Sequence, residues 1–199
     1  MKGMVLRAFA AFAEETFGAD VADRALSQSA LSTRGVFTNV GYYPTDDMLL
    51  LVRAVSEATH QPPSDLVRRF GRDLFGRLAR AHAPLMAAFD EPLDMLASIE
   101  SVIHVNVRKL YTDTELPSFD VAGREGARRL VLVYRSARPF ADLAEGLILG
   151  CLDHYGVGAR ARVRRRDLAD DGTAAAFTVE IDDRDDCVCA TPGTTNSTG

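Results

Sequence analysis

The sequence predicts an α+β fold, in which a helical first half packs on a second half of antiparallel strands and helices. Three observations predict it. Up to about residue 111 the apolar residues recur with a helical period. Beyond that point Leu130, Leu132 and Tyr134 alternate as in a strand. A hairpin pattern follows, with Asp170-Asp171-Gly172 between two extended runs.

The chain has 199 residues, 47% hydrophobic and 26% charged, enough for one domain with its own core. Residues 1–182 read as one domain, helical to about 111 and mixed over 112–182, and 183–199 reads as a disordered tail. No internal repeat is evident.

Each element has its own signal. Val5, Phe9 and Phe12 share a face of a first helix that Gly18 ends. A second helix is expected over Asp20 to Ser29. A third opens with Thr45 as its cap and two acids, Asp46 and Asp47. The fourth starts at a proline and Ser64 and carries Leu66, Phe70, Leu74 and Leu78 in one stripe. Asp90 is the expected cap of a long helix with Pro92 in its first turn. Its stripe is Leu93, Leu96, Ile99, Ile103, Val107 and Leu110, with His104 beside the stripe. Residues 112–127 read as loop and extended chain. "RRLVLVYRSARP" reads as a strand, and "FADLAEGLILGCLDHYG" as an apolar helix ended by Gly156.

Charge and composition narrow the function classes. The net charge of −5 argues against nucleic acid as a partner. The basic run "RARVRRRDL" reads as the solvated face of a strand. No apolar run of about 18 residues is present, so no transmembrane segment is expected. Arg7, Glu14 and Glu15 interrupt what would otherwise resemble a signal peptide. Three cysteines fit a reducing compartment better than a disulfide framework, and a cytoplasmic location is expected.

Two clusters carry chemistry. His104 lies in "VIHVNVRKLY", amid apolar residues near a helix end. Taken alone it reads as an ordinary half-buried histidine sooner than as a ligand. Tyr134, Ser136 and Arg138 follow one another at i, i+2 and i+4. On an extended backbone they leave on one side, as a cluster of donors suited to carboxylates. No catalytic site can be assembled: there is no nucleophile elbow, phosphate loop or His-Glu-x-x-His, and no enzyme activity is expected.

Together these pieces resemble the H-NOX family, the haem-nitric oxide/oxygen binding domains. The resemblance rests on "MKG", "VSEATH", "RRFGRDLFGRLA", "VIHVNVRKLYTDTELPSF", "YRSAR" and "FADLAEGLILG", and it spans about Met1 to Asp182. It implies a b-type haem between the two halves, with His104 as its iron ligand. It implies that Tyr134, Ser136 and Arg138 bind the haem propionates and that Pro117 presses on the porphyrin. Val5, Phe9, Leu74, Leu143 and Leu147 fall where the family lines the haem and its distal side. Leu143 stands where oxygen-binding members carry a distal tyrosine, and Leu74 and Phe9 stand at the supporting positions. Tyr42 and Tyr43 are distant tyrosines that could reach this pocket in three dimensions.

The resemblance therefore implies a haem-based gas sensor that binds nitric oxide and carbon monoxide. It also implies a separate signalling partner, such as a histidine kinase or a cyclic-di-GMP enzyme. Two rivals stand beside it: a haem protein that holds oxygen stably, and a haem-free module sensing redox through thiols or zinc. Zinc has weak support. Cys151 and His154 are three apart, Cys187 and Cys189 lie in the tail, and Ala141 stands where a zinc-binding relative would have cysteine.

Overall fold

The computed structural model of the protein describes residues 1–28, 30–110 and 116–182. The expected tail over 183–199, Tyr111, and Ser29 at the expected end of the second helix lie outside the described residues.

Four helices build most of the first half: α1 (Gly3–Phe17), α2 (Ala19–Gln28), α3 (Thr45–Thr59) and α4 (Pro63–Ala81). Their inward faces form one apolar cluster around Leu6, Phe9, Phe12, Met48, Leu51, Leu66, Phe70 and Leu74. Phe9 meets Phe70 edge-on at 5.1 Å, a favoured aromatic geometry. Gly18 closes α1 at φ 93°, where a side chain would be strained. Helix α4 starts at Pro63 as expected, while the cap expected at Thr45 shifts by one residue. Pro44 and Pro62 occupy the positions before α3 and α4, and Thr45 is already helical. Asp47 is buried and holds the preceding loop instead, accepting from Ser32 N at 3.1 Å and Ser32 Oγ at 2.5 Å.

A short helix, α5 (Ala83–Met86), leads to the segment expected to be one long helix. That segment departs from expectation in two ways. Asp90 is not its cap. Pro92 fixes the first helical position, so the cap falls on Glu91, whose carbonyl accepts from Asp94 N and Met95 N at 3.2 Å each. The helix is also not continuous. It runs as α6 (Pro92–Ala97), a π-helical turn at Ile99–His104, and α7 (Val105–Leu110). Ser98, at φ −94° and ψ 5°, marks the break, and its carbonyl accepts from Ile103 N five residues on.

The second half holds an antiparallel sheet in the order β1-β2-β4-β3. Its strands are β1 (Ser118–Glu125), β2 (Arg129–Arg135), β3 (Ala161–Asp167) and β4 (Ala174–Ile181). The segment read as loop and extended chain thus includes an edge strand, β1. Ala122 is an extra residue in its register, between Val121 opposite Leu132 and Gly123 opposite Val131. In the β3–β4 connection Gly172 takes φ 75° and Asp171 accepts from Thr173 N at 3.0 Å. The basic run lies on edge strand β3, where its arginines face carboxylates: Arg162 on Asp182 at 3.2 Å, Arg164 on Glu180 at 3.3 Å, and Arg165 on Asp142 at 2.7 Å.

Helix α8 (Ala141–His154) joins the halves. Ala144, Ile148, Cys151 and Leu152 enter the sheet-side core with Leu130, Leu132, Tyr134 and Phe177. Leu143 packs on the helical cluster, and Leu147 touches both. Helices α4 and α8 meet at glycines. A Cβ on Gly146 would lie 2.1 Å from Arg68 O, one on Gly71 2.6 Å from Leu143 O, and one on Gly150 2.6 Å from Arg72 O. Backbone meets backbone along this seam, so no rotamer change makes room.

Gly146→Ala should therefore destabilise the fold, by about 1–3 kcal/mol for overpacking, and lower the urea midpoint. Gly76→Ala, on the same α4 but with nothing nearer than Arg80 Nη1 at 3.6 Å, should instead be stabilising by roughly 0.5–1 kcal/mol. Equal midpoints for the two variants would contradict the seam.

Candidate functional site

The π-turn sets the geometry around His104. An added residue in a helical turn rotates everything after it relative to the preceding stripe. Ile99 and Ile103 end up half-buried, while the His104 ring is carried inward and left 8% exposed. Its Nδ1–H donates to Glu100 Oε1 at 2.8 Å. Glu100 is ideally spaced, four residues before it on the same helical ladder. The same Oε1 accepts from the backbone N–H of Phe119 on β1 at 3.0 Å, and Oε2 faces Arg108 Nη2 at 3.4 Å.

Burial is the main influence on the His104 imidazole and pushes its pKa below the ordinary value; Glu100 pulls the other way, and Arg108 adds to the lowering. The ring is therefore neutral near pH 7. With Nδ1 protonated and engaged, Nε2 keeps its lone pair for one further bond. A neutral imidazole with one nitrogen oriented by a carboxylate is the form that takes a metal.

Aromatic rings lead away from His104 into the sheet. Phe119 lies 6.1 Å from His104, Tyr134 lies 5.3 Å from Phe119, and Phe177 lies 6.4 Å from Tyr134. Burial raises the Tyr134 phenol, offset in part by hydrogen bonds from the Ser136 side chain and the Phe140 backbone and by nearby Arg165. The extended backbone expected through "YRSAR" stops at Arg135, where the ladder to β4 ends at Ala174. Ser136 and Arg138 lie in the turn beyond. Ser136 N donates to Thr173 O at 2.8 Å, and Arg138 N donates to Ser136 Oγ at 3.0 Å. Of the three only Tyr134 therefore lies on β2; it is buried, and Arg138 is exposed. Pro117 is half-buried immediately before β1.

The expected distal residues sit on the opposite cluster. Phe9 and Leu74 are buried in the helical core, with Val5 and Leu143 packed against it. Leu147 touches both cores and marks where they meet. The two distant tyrosines have partners near the N-terminus. Tyr43 Oη accepts from Thr38 N at 2.9 Å, and the half-exposed Tyr42 ring lies under Lys2 Nζ at 3.5 Å.

Cys151 and His154 do not converge. Cys151 Sγ is buried 3.7 Å from Met95 Sδ, and burial pushes its thiol pKa far up; His154 is exposed, against Phe75 and Tyr155. Among the described residues, no group of three or more His, Cys, Asp or Glu side chains is placed to hold a metal ion. Cys187 and Cys189 lie outside the described residues.

These residues fit a haem. One neutral imidazole is held at Nδ1 with Nε2 as its other nitrogen, the fold has two apolar clusters that meet at Leu147, and a hydroxyl and a guanidinium lie at the outer end of β2. Sequence reasoning missed Glu100 and Phe119 here. The i, i+4 spacing of Glu100 and His104 was the signal for the first, whereas the second depends on the tertiary position of β1.

A family model described as Haem-NO-binding matches residues 2–163. No curated protein is a significant match. Among solved structures, the Fe(II) unliganded H-NOX protein from K. algicida is 32% identical, with a TM-score of 0.85 over 92% of this chain and 97% of that one. The H-NOX from Shewanella woodyi, solved bound to IWP-051 in the Fe(II)CO state, is 35% identical, with a TM-score of 0.77 over 93% and 96%. An H-NOX protein from S. oneidensis in the Fe(II)NO state shares the fold at 24% identity, with a TM-score of 0.80 over 92% and 100%. With a family model covering most of its length and relatives above 30% identity that it spans almost entirely, the chain belongs to the Haem-NO-binding, or H-NOX, family of haem-based gas sensors.

Proposed function

We propose that this protein is a cytoplasmic haem-based sensor of nitric oxide that signals to a separate partner protein. The observation that carries the reading is His104: a buried, neutral imidazole whose Nδ1–H is held by Glu100 and whose Nε2 is left for iron. A b-type haem is the cofactor this implies, because no Cys-x-x-Cys-His attachment motif is present. When bound through His104, haem would supply a ferrous iron able to take up a diatomic gas. No helix among the described residues is long and apolar enough to cross a membrane.

The chain's own residues divide the remaining tasks. Ser136 and Arg138 offer a hydroxyl and a charged fork to the propionates at the outer end of β2. Pro117, rigid and half-buried at the entrance to β1, is the residue in place to press on the macrocycle. Val5, Phe9, Leu74, Leu143 and Leu147 give the distal wall. None of those five side chains carries a hydrogen-bond donor. Oxygen binding at a ferrous haem would depend on such a donor, and nitric oxide or carbon monoxide binding would depend on it far less. This favours nitric oxide sensing over stable oxygen binding. Signal transfer then follows from the ligand's bias between two arrangements of the halves that meet along α8. A partner such as a histidine kinase or a cyclic-di-GMP enzyme would read that bias.

Three outcomes are expected. Protein expressed with haem supply should bind nitric oxide and carbon monoxide when ferrous and form no long-lived oxygen complex in air. A missing donor costs oxygen affinity about 1–3 kcal/mol, or roughly ten- to a hundredfold. A stable oxygen spectrum would overturn the selectivity, and purification without a haem absorption band would overturn the reading itself. His104→Gly should lose the ferrous five-coordinate spectrum and regain it on addition of imidazole; a spectrum unchanged by the substitution would exclude His104 as ligand. Arg138→Ala should release haem to an acceptor protein faster. Arg138 is exposed, and exposed ion pairs are worth roughly 0.2–1 kcal/mol, so the acceleration should be about 1.5- to 5-fold, with Ser136→Ala smaller still. Equal loss rates for wild type and Arg138→Ala would remove Arg138 from the site.

A further inference from the structure

We propose that Glu100 is a positioning residue that both orients the His104 ring and ties it to β1, so that the bond His104 makes at Nε2 is mechanically linked to the strand following Pro117. This rests on the haem-sensor reading and goes beyond it.

One carboxylate oxygen serves two partners that belong to different parts of the fold. Glu100 Oε1 accepts from His104 Nδ1 at 2.8 Å and from Phe119 N at 3.0 Å. His104 is on the ligand helix, and Phe119 is two residues past Pro117 on an edge strand. The second oxygen is steadied by Arg108 Nη2 at 3.4 Å, one turn of α7 further on. A surface pair at i, i+4 would need no strand partner. Here the strand contact spans nineteen residues and engages an N–H at the open edge of the sheet, where β2 lies on the other side. The Phe119 ring packs on the His104 ring at 6.1 Å, so helix and strand also share an apolar contact.

Two consequences follow. Glu100 selects the tautomer with hydrogen on Nδ1 and makes Nε2 a stronger electron donor, as a carboxylate behind a metal-bound histidine does. Movement of the ring on losing its bond also pulls on the Phe119 amide, and thereby on β1. Without Glu100 the imidazole would swing with little effect on the sheet.

The test uses the ferrous holoprotein, with Glu100→Gln, Glu100→Ala and His104→Gly compared with wild type. Resonance Raman spectroscopy reads the iron–histidine stretch, and amide hydrogen exchange reads Phe119. Both Glu100 variants should shift the stretch to lower frequency. Gln keeps an accepting oxygen but not the charge, so its shift should be the smaller. Glu100→Ala should also speed exchange at Phe119 by about five- to tenfold, the size expected for one lost hydrogen bond. Its haem loss should quicken by roughly tenfold, the lower end of what removal of such outer partners costs. A stretch present in wild type, absent in His104→Gly and unmoved in both Glu100 variants would overturn this proposal and leave the haem reading intact. A shifted stretch with unchanged Phe119 exchange would overturn the tie to β1. A stretch that survives His104→Gly would overturn the haem ligand assignment itself.

Discussion

The backbones of α4 and α8 touch because residues 71, 146 and 150 are all glycine, and the rest of the architecture depends on that contact. A single methyl group at Gly146 would meet the Arg68 carbonyl at 2.1 Å. The seam makes α8 a wall common to both halves: Leu143 faces the helical cluster, Ile148 and Cys151 face the sheet, and Leu147 reaches both. Ion pairs frame it, with Arg68 on Glu145 at 3.2 Å and Arg72 on Asp153. These are partly exposed and contribute little energy. Steric fit fixes the register instead. A shift of one half against the other would have to run by sliding or turning along this line, since separating the two would open a gap in a packed core.

Much of this was legible in the sequence, and the exceptions share a cause. The helices of the first half announce themselves because each buries one stripe at a helical period. The α+β order was equally plain, since Leu130, Leu132 and Tyr134 alternate on a central strand that is buried at every second residue. Strand β1 gave almost no such signal. It lies at the sheet edge, buries only Phe119 among its eight residues, and carries a bulge at Ala122 that breaks the alternation. The π-turn was hidden for a related reason. Ile99, Ile103 and Val107 keep an ordinary spacing, and half-burial on both sides of the added residue conceals the rotation.

At the site, residue identity was legible and mutual placement was not. His104 stood out from its apolar surroundings, and "YRSAR" stood out as a pattern. Nothing local showed that the ladder ends at Arg135, because that limit is set by where β4 begins, at Ala174. Glu100 is the instructive omission. Its spacing to His104 is local and visible, but its meaning comes from Phe119, whose amide arrives from nineteen residues away.

The two sides of the candidate haem site are unlike in polarity, and this asymmetry says where control over the ligand resides. On the haem-sensor reading the distal side is Val5, Phe9, Leu74, Leu143 and Leu147, none of whose side chains can donate. The polar groups gather on the side of His104, where Arg108, the His104 ring and the Phe119 amide all meet the Glu100 carboxylate. A gas bound on the apolar side meets shape and little else. On the haem-sensor reading, discrimination and response then fall to the strength of the bond His104 makes and to how firmly its ring is held. Both are set from behind the ring, by a carboxylate that also grips the sheet. A sensor arranged in this way does not need to recognise the gas by contact; it needs a proximal bond poised to respond and a strand attached to register the change.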